Sequence, residues 1–94
     1  MLHHLEKADD GKHKYIAVFD DGKRVPFGAD GYEDYTIHKD SARREAYRAR
    51  HKKDLETNDP LRPGYLSYYI LWGDSTKLAQ NIRMYNKMFF SKKS

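Results

Sequence analysis

Along residues 14–19 the chain alternates, with Tyr15, Ala17 and Phe19 on one side and Ile16 and Val18 on the other. A period of two built from β-branched and aromatic residues predicts a strand. Asp20-Asp21-Gly22-Lys23 follows as a hairpin turn, with Gly22 free to take a positive φ. Arg24-Val25-Pro26-Phe27-Gly28 then returns as a second strand. Pro26 has no N–H to donate, which places that strand at a sheet edge. Two strands alone are marginal in water, so helices have to cover them. Ahead of the hairpin, residues 1–12 are polar and carry the turn signal Asp9-Asp10-Gly11. They predict a flexible N-terminal arm.

After a second turn at Ala29-Asp30-Gly31 the apolar spacing lengthens to that of a helix. Tyr32, Tyr35 and Ile37 suit one helical turn or a short docked segment. Asp40 is a good N-cap, and residues 41–53 contain no Gly or Pro. They predict a helix with Ala42, Ala46, Tyr47 and Arg50 on its inner face, the Arg stem lying along apolar surface. Residues 54–60 read as a loop ending in the turn Asn58-Asp59-Pro60. Tyr65 to Trp72 is the most apolar window. A strand competes there, but all-round apolarity, Pro63 in the first turn and Gly73 at the end favour a buried helix. Asp74 or Ser75 caps a closing helix whose stripe is Leu78, Ile82, Tyr85 and Phe89. The expected fold is α+β: a small N-terminal β-hairpin packed on about three helices, one domain over residues 13–90, then a basic C-terminal tail at 91–94. The expected core is Tyr15, Ile16, Val18, Phe27, Tyr35, Ile37, Leu66, Ile70, Trp72, Leu78, Ile82 and Phe89.

Composition narrows the chemistry. At 94 residues the chain has room for one domain, with 38% hydrophobic and 34% charged residues. The absence of Cys excludes disulfides, thiolate catalysis and Cys-ligated metal. No apolar run is long enough to span a bilayer, and Met1 to Lys7 lacks the apolar stretch of a secretion signal, so no membrane span and no secretion are expected.

Charge is distributed unevenly. Residues 1–38 carry a net charge of −3, residues 39–53 carry +5, and residues 54–94 carry +2. The middle block supplies the candidate site: Lys39, Arg43, Arg44, Arg48, Arg50, Lys52 and Lys53, against only Asp40 and Glu45. Cations at this density suit a polyanion, because neutralised phosphates release counterions. The competing reading is a solvated helix face with pairs such as Asp40–Arg44. Partners consistent with the site are non-specific nucleic acid or an acidic protein surface. A steep salt dependence, lost in an Arg43→Glu plus Arg48→Glu variant, is the expected signature of the first.

Other constellations carry less. His3, His4, His13, His38 and His51 include no His-Glu-x-x-His motif and no i,i+4 pair. Structural or solvent roles are expected for His38 and His51, with metal ligation by His3, His4 and His13 the minor reading. Asp9/Asp10 and Asp20/Asp21 sit beside Gly in turns, leaving Glu33 and Asp34 as the carboxylate pair that turn chemistry does not explain. Gly28-Ala29-Asp30-Gly31 lacks phosphate-loop spacing. Tyr65, Tyr68, Tyr69 and Trp72 suit base stacking, but at three- and four-residue spacings they more often build core. No catalytic residue, metal site or cofactor is expected.

Several short pieces stand in a fixed order along the chain: Lys14-Tyr15-Ile16-Ala17-Val18-Phe19, Val25-Pro26-Phe27-Gly28, Gly31-Tyr32-Glu33-Asp34-Tyr35-Thr36, and His38-Lys39-Asp40. They continue with Arg48-Ala49-Arg50-His51-Lys52-Lys53, Asn58-Asp59-Pro60 and Leu66-Ser67-Tyr68-Tyr69-Ile70-Leu71-Trp72-Gly73, then a last helix ending at Phe89. In this the chain resembles a family of uncharacterised small proteins of nucleocytoplasmic large DNA viruses, those of algae and amoebae. The closing Met84-Tyr85-Asn86-Lys87-Met88-Phe89 is less basic than the endings of such proteins. The resemblance implies a viral source and no assigned activity. The expectation is a non-enzymatic structural or interaction protein, carried in the virion or acting in the infected-cell cytoplasm or nucleus. Capsid or core proteins, or packaged DNA, would be its partners. The alternative is a free nucleic-acid-binding accessory protein acting on viral or host DNA or RNA.

Overall fold

The computed structural model describes residues 1–90. It is an α+β fold: a three-stranded antiparallel sheet followed by four helices, with strand order β1-β2-β3. The strands are β1 (Leu2–Lys7), β2 (His13–Phe19) and β3 (Arg24–Ala29). The helices are α1 (Tyr35–His38), α2 (Ser41–His51), α3 (Pro63–Leu66) and α4 (Leu78–Phe90). A 3₁₀ turn, Lys52–Thr57, extends α2, and a π-helical stretch, Ser67–Leu71, extends α3. The basic tail expected at 91–94 lies outside the described residues.

The arm expected at residues 1–12 is instead a third strand and its turn. A shift in register between Leu2 and His4 explains why the strand was illegible. Leu2 and Leu5, the apolar positions of β1, are three apart rather than two, so the alternation is broken. Two devices hold it. Asp10 accepts from the Lys12 and His13 amides at 2.9 and 2.8 Å, and Gly11 takes φ +74, which closes the turn into β2. The Asp10 carboxylate lies well below its usual range, mainly through a side-chain hydrogen bond with His13. At the other end the Asn86 amide bonds both the N–H and the C=O of Leu2, at 2.8 and 2.9 Å. One side chain of α4 thus acts as a strand partner for β1.

Register assigns the faces. Leu5, Ala17 and Val25 are cross-strand partners on the face that meets the helices, and Tyr15 and Phe27 pair on that same face. Ile16 and Val18, expected in the core, belong to the opposite face and are half-buried. That face is polar: Glu6 bonds Arg24 at 2.7 Å and His4 at 3.2 Å. The Arg24 hydrogen bond holds the Glu6 carboxyl below its ordinary value.

Leu2, Ala17, Phe19 and Phe27 from the sheet meet Leu66, Ile70, Leu71 and Tyr85 in one buried cluster. Tyr15, Trp72, Leu78, Ile82 and Phe89 pack around it. Tyr85 is fully buried and donates its hydroxyl to the Pro60 carbonyl. Ile37, expected in the core, is 50% exposed. Helix α1 is a single turn that uses Tyr35 and His38 for its inward contacts, which leaves Ile37 facing solvent.

Candidate functional site

The site is built from the start of α1, the length of α2 and the end of the α3–π helix. Asp34 caps α1, accepting from the Thr36 amide at 2.8 Å and from the Thr36 hydroxyl. It is 2% exposed and pairs with Lys14 Nζ at 2.5 Å. Lys14 also donates to the Tyr32 carbonyl at 2.5 Å. Every acceptor of this buried carboxylate faces a donor, so Asp34 pins the loop to β2. Asp40 then caps α2 through the Ala42 and Arg43 amides, as its place in the sequence predicts.

Helix α2 divides its cations between two sides. Arg44 and Arg48 turn inward, to the C-terminal end of the helix that begins at Pro63. A helix end leaves carbonyls without partners, and side chains serve several of them here. Arg44 Nε donates to the Gly73 carbonyl at 2.6 Å, and its guanidinium bonds Asp74 and Glu45, each at 2.6 Å. Arg48 donates to the Trp72 carbonyl at 2.8 Å and lies 4.2 Å above the Tyr68 ring. Asn81, fully buried on α4, donates to the carbonyls of Ile70 and Ser75 at 2.8 and 2.7 Å. Positive guanidinium groups at a C-terminus also interact favourably with the negative end of the helix dipole. The inner face expected from Ala42, Ala46, Tyr47 and Arg50 is therefore different: Arg44, Tyr47, Arg48 and His51 are its partly buried positions, while Ala42, Ala46 and Arg50 are exposed.

Backbone packing at this helix end is tight. The last turn widens to i,i+5 spacing, with Trp72 N bonded to Ser67 O at 3.0 Å. A Cβ on Gly73 would stand 2.1 Å from the Tyr69 carbonyl oxygen. No other residue fits there without a backbone shift.

The remaining cations face outward. The Arg43 side chain is 54% exposed and meets Glu33 only loosely, at 3.7 Å. Lys39, Arg50, Lys52 and Lys53 are exposed. Among the described residues none of these four has an ion-pair partner. Lys39 occupies the left-handed region at φ 58, between α1 and α2.

Arg43 and Arg50 border a cleft of about 500 Å³, whose floor and walls include Leu71, Tyr47, Trp72 and His51. Glu33 and Tyr32 stand on the opposite wall. Tyr47 is the middle ring of a column. It stacks on Trp72 at 4.2 Å and 6°, and on His51 at 4.1 Å and 22°. Burial pushes the Tyr47 phenol up to about 12, against a smaller lowering from a hydrogen bond with Ser67. His38 packs on the Trp72 end, 5.2 Å between centroids. Its Nδ1 accepts from the Asp40 amide at 2.9 Å, while its Nε2 is buried without a partner. His51 ends the column on the other side, 41% exposed and fixed by Asp54 at 3.1 Å.

Of the aromatic residues singled out for stacking, Tyr65 and Tyr68 are buried core and Trp72 reaches the cleft. Tyr47 and His51 are functional candidates that the sequence did not single out for stacking. Their i,i+4 spacing on α2 was the available signal. His3 and His4 lie side by side on β1, and His13 bonds Asp10 instead. Among the described residues, no group of three or more His, Asp or Glu side chains is placed to hold a metal. No helix among them is long and apolar enough to cross a membrane.

These features define a small α+β domain with a basic helix along an aromatic cleft. The chain belongs to the DUF5754 family, a family of unknown function, whose model matches residues 3–51. The matched segment runs from β1 to the end of α2, so it includes the sheet and the basic helix but not the helix that closes the cleft floor. No curated protein and no solved structure matches the chain.

Proposed function

We propose that this chain is a non-enzymatic interaction protein that holds a polyanion along the outward side of α2 and its 3₁₀ extension. One observation carries the reading: Arg50, Lys52 and Lys53 stand exposed without an acidic partner among the described residues, and Arg43 is only loosely paired. An internal clamp would have neutralised them, as Asp74 and Glu45 neutralise Arg44. Phosphates on this side would displace counterions and give strongly salt-dependent binding. The two residues with carboxylate chemistry near the cleft support a binding role over a catalytic one. Asp34 is consumed by Lys14 and Thr36, and Glu33 stands on the exposed rim.

The motif order from Lys14 to Phe89 supports a home in a large DNA virus, with the protein carried in the virion against DNA or an acidic capsid or core protein. A second reading is a free accessory protein acting on viral or host nucleic acid in the infected cell. The aromatic column beside the cations favours it, because a purely electrostatic bridge needs no stacked rings.

The chain has one Trp, and it lies in the cleft, so its fluorescence reports on the site directly. Titration with duplex DNA, single-stranded DNA and heparin across salt concentrations tests the proposal. Binding that weakens steeply with salt, and that Arg50→Glu plus Lys53→Glu reduces at least tenfold, is expected. The sequence points to Arg43 and Arg48 for that variant. The structure shows that Arg48 caps the neighbouring helix, so its loss would confuse binding with folding. No binding of any polyanion at low salt would end the proposal.

A further inference from the structure

We propose that the cleft beside α2 takes one unpaired base of a single nucleic-acid strand, while Arg50 and the cations that follow it hold the neighbouring phosphates. This rests on the polyanion reading above and adds to it a ligand class and a base-binding subsite.

Four observations converge. The cleft, at about 500 Å³, falls in the size range of small-ligand pockets. Its aromatic lining is already arranged as a stack, with ring spacings of 4.1 and 4.2 Å. Any base has a π-face, and stacking on such rings is tolerant of sequence. His38 packs against Trp72 at a tilt of 54°, and the His51 side chain at the other end of the column is 41% exposed. The cations do not stop at the cleft: Lys52 and Lys53 follow His51 directly and line a second, more open groove with Leu55, Asn58 and one acid, Glu56, with which neither Lys forms an ion pair among the described residues. A track longer than one nucleotide commits the site to a strand rather than a free nucleotide. Finally, the two ends of the π-helical stretch, Ser67 and Leu71, line the cleft together with Trp72. Single π turns inside helices concentrate at binding sites, because the extra residue re-aims side chains. Duplex DNA keeps its bases stacked and offers none to the cleft, so preference for single strands follows.

The test uses the whole chain and four probes: an oligothymidylate, a duplex of equal phosphate count, heparin, and thymidine monophosphate. Ala46, exposed on the cleft wall, is replaced by Leu to narrow it, and His51 by Ala to shorten the column. The expected result is oligothymidylate binding roughly tenfold tighter than duplex at moderate salt, with quenching of Trp72. Each variant should remove that preference while heparin affinity stays within about twofold and circular dichroism at the assay temperature shows the parental fold. If heparin and both DNAs bind alike, or either variant keeps the preference, the base subsite is wrong and the polyanion reading stands. If thymidine monophosphate binds as tightly as the oligomer, the strand assignment is wrong. If no polyanion binds, both readings fall.

Discussion

Arg43 and Arg44 are adjacent on one helix, yet the side chain of the first is 54% exposed and that of the second 15%. The first looks onto the cleft with a loose contact to Glu33 at 3.7 Å. The second is spent on a carbonyl and two carboxylates, all at 2.6 Å. The same division separates Arg48 from Arg50 two residues later. A count of cations on α2 therefore overstates what a partner can use. Arginine suits the inward task because its planar fork reaches several acceptors at once while its stem covers apolar surface.

The sharpest way to break this division is to remove an inward arginine. Arg48→Met should lower stability by roughly 2–3 kcal/mol, since it strands the Trp72 carbonyl and ends the contact with Tyr68. For a domain this size that lowers the thermal midpoint by roughly 10–20 °C, readable by circular dichroism. Arg44→Met should cost less, about 1–2 kcal/mol, because two of its three partners are exposed carboxylates that water can serve. Arg50→Met should leave the stability within about 0.5 kcal/mol of the parent. An equal loss of stability from Arg50→Met and Arg48→Met would erase the distinction.

Alkaline titration sharpens the picture at the column. The Tyr47 phenol is raised to about 12 in the folded chain, above an ordinary value of 10.0. The folded state therefore holds its proton longer than the unfolded state, and stability falls as pH rises through that window. The buried Tyr85 phenol is raised as well and acts in the same direction. Tyr47→Phe should flatten part of the decline, measured by denaturant unfolding at successive pH values. An unchanged decline would mean that Tyr47 is solvated rather than stacked. The smallest effect expected is at Glu33. Glu33→Gln removes the acid opposite Arg43 and should raise affinity for heparin about two- to threefold, with no change in thermal midpoint.

The sequence was most legible where one periodicity ran unbroken. The alternation in β2, the Asp40 cap and the stripe through Tyr85 all correspond to elements in the structure. It was least legible where one residue changed the phase. The irregularity between Leu2 and His4 hid β1, and its tie to Asn86 spans 84 residues, beyond any local signal. Ile37 misled because a one-turn helix buries only some of its apolar side chains. The candidate site was legible as a charge block on one helix, but not as two faces. Which arginines turn inward depends on where the carbonyls of a helix 20 residues or more away come to lie.

The most direct test of that division is the salt dependence of DNA affinity for Arg50→Met and Arg48→Met side by side, at a temperature where both are folded. Loss of one phosphate contact reduces the slope of log affinity against log salt by about one. Arg50→Met should show that reduction, and Arg48→Met should keep the parental slope. A reduced slope for Arg48→Met, or an unchanged one for Arg50→Met, would contradict the assignment of the two faces of α2.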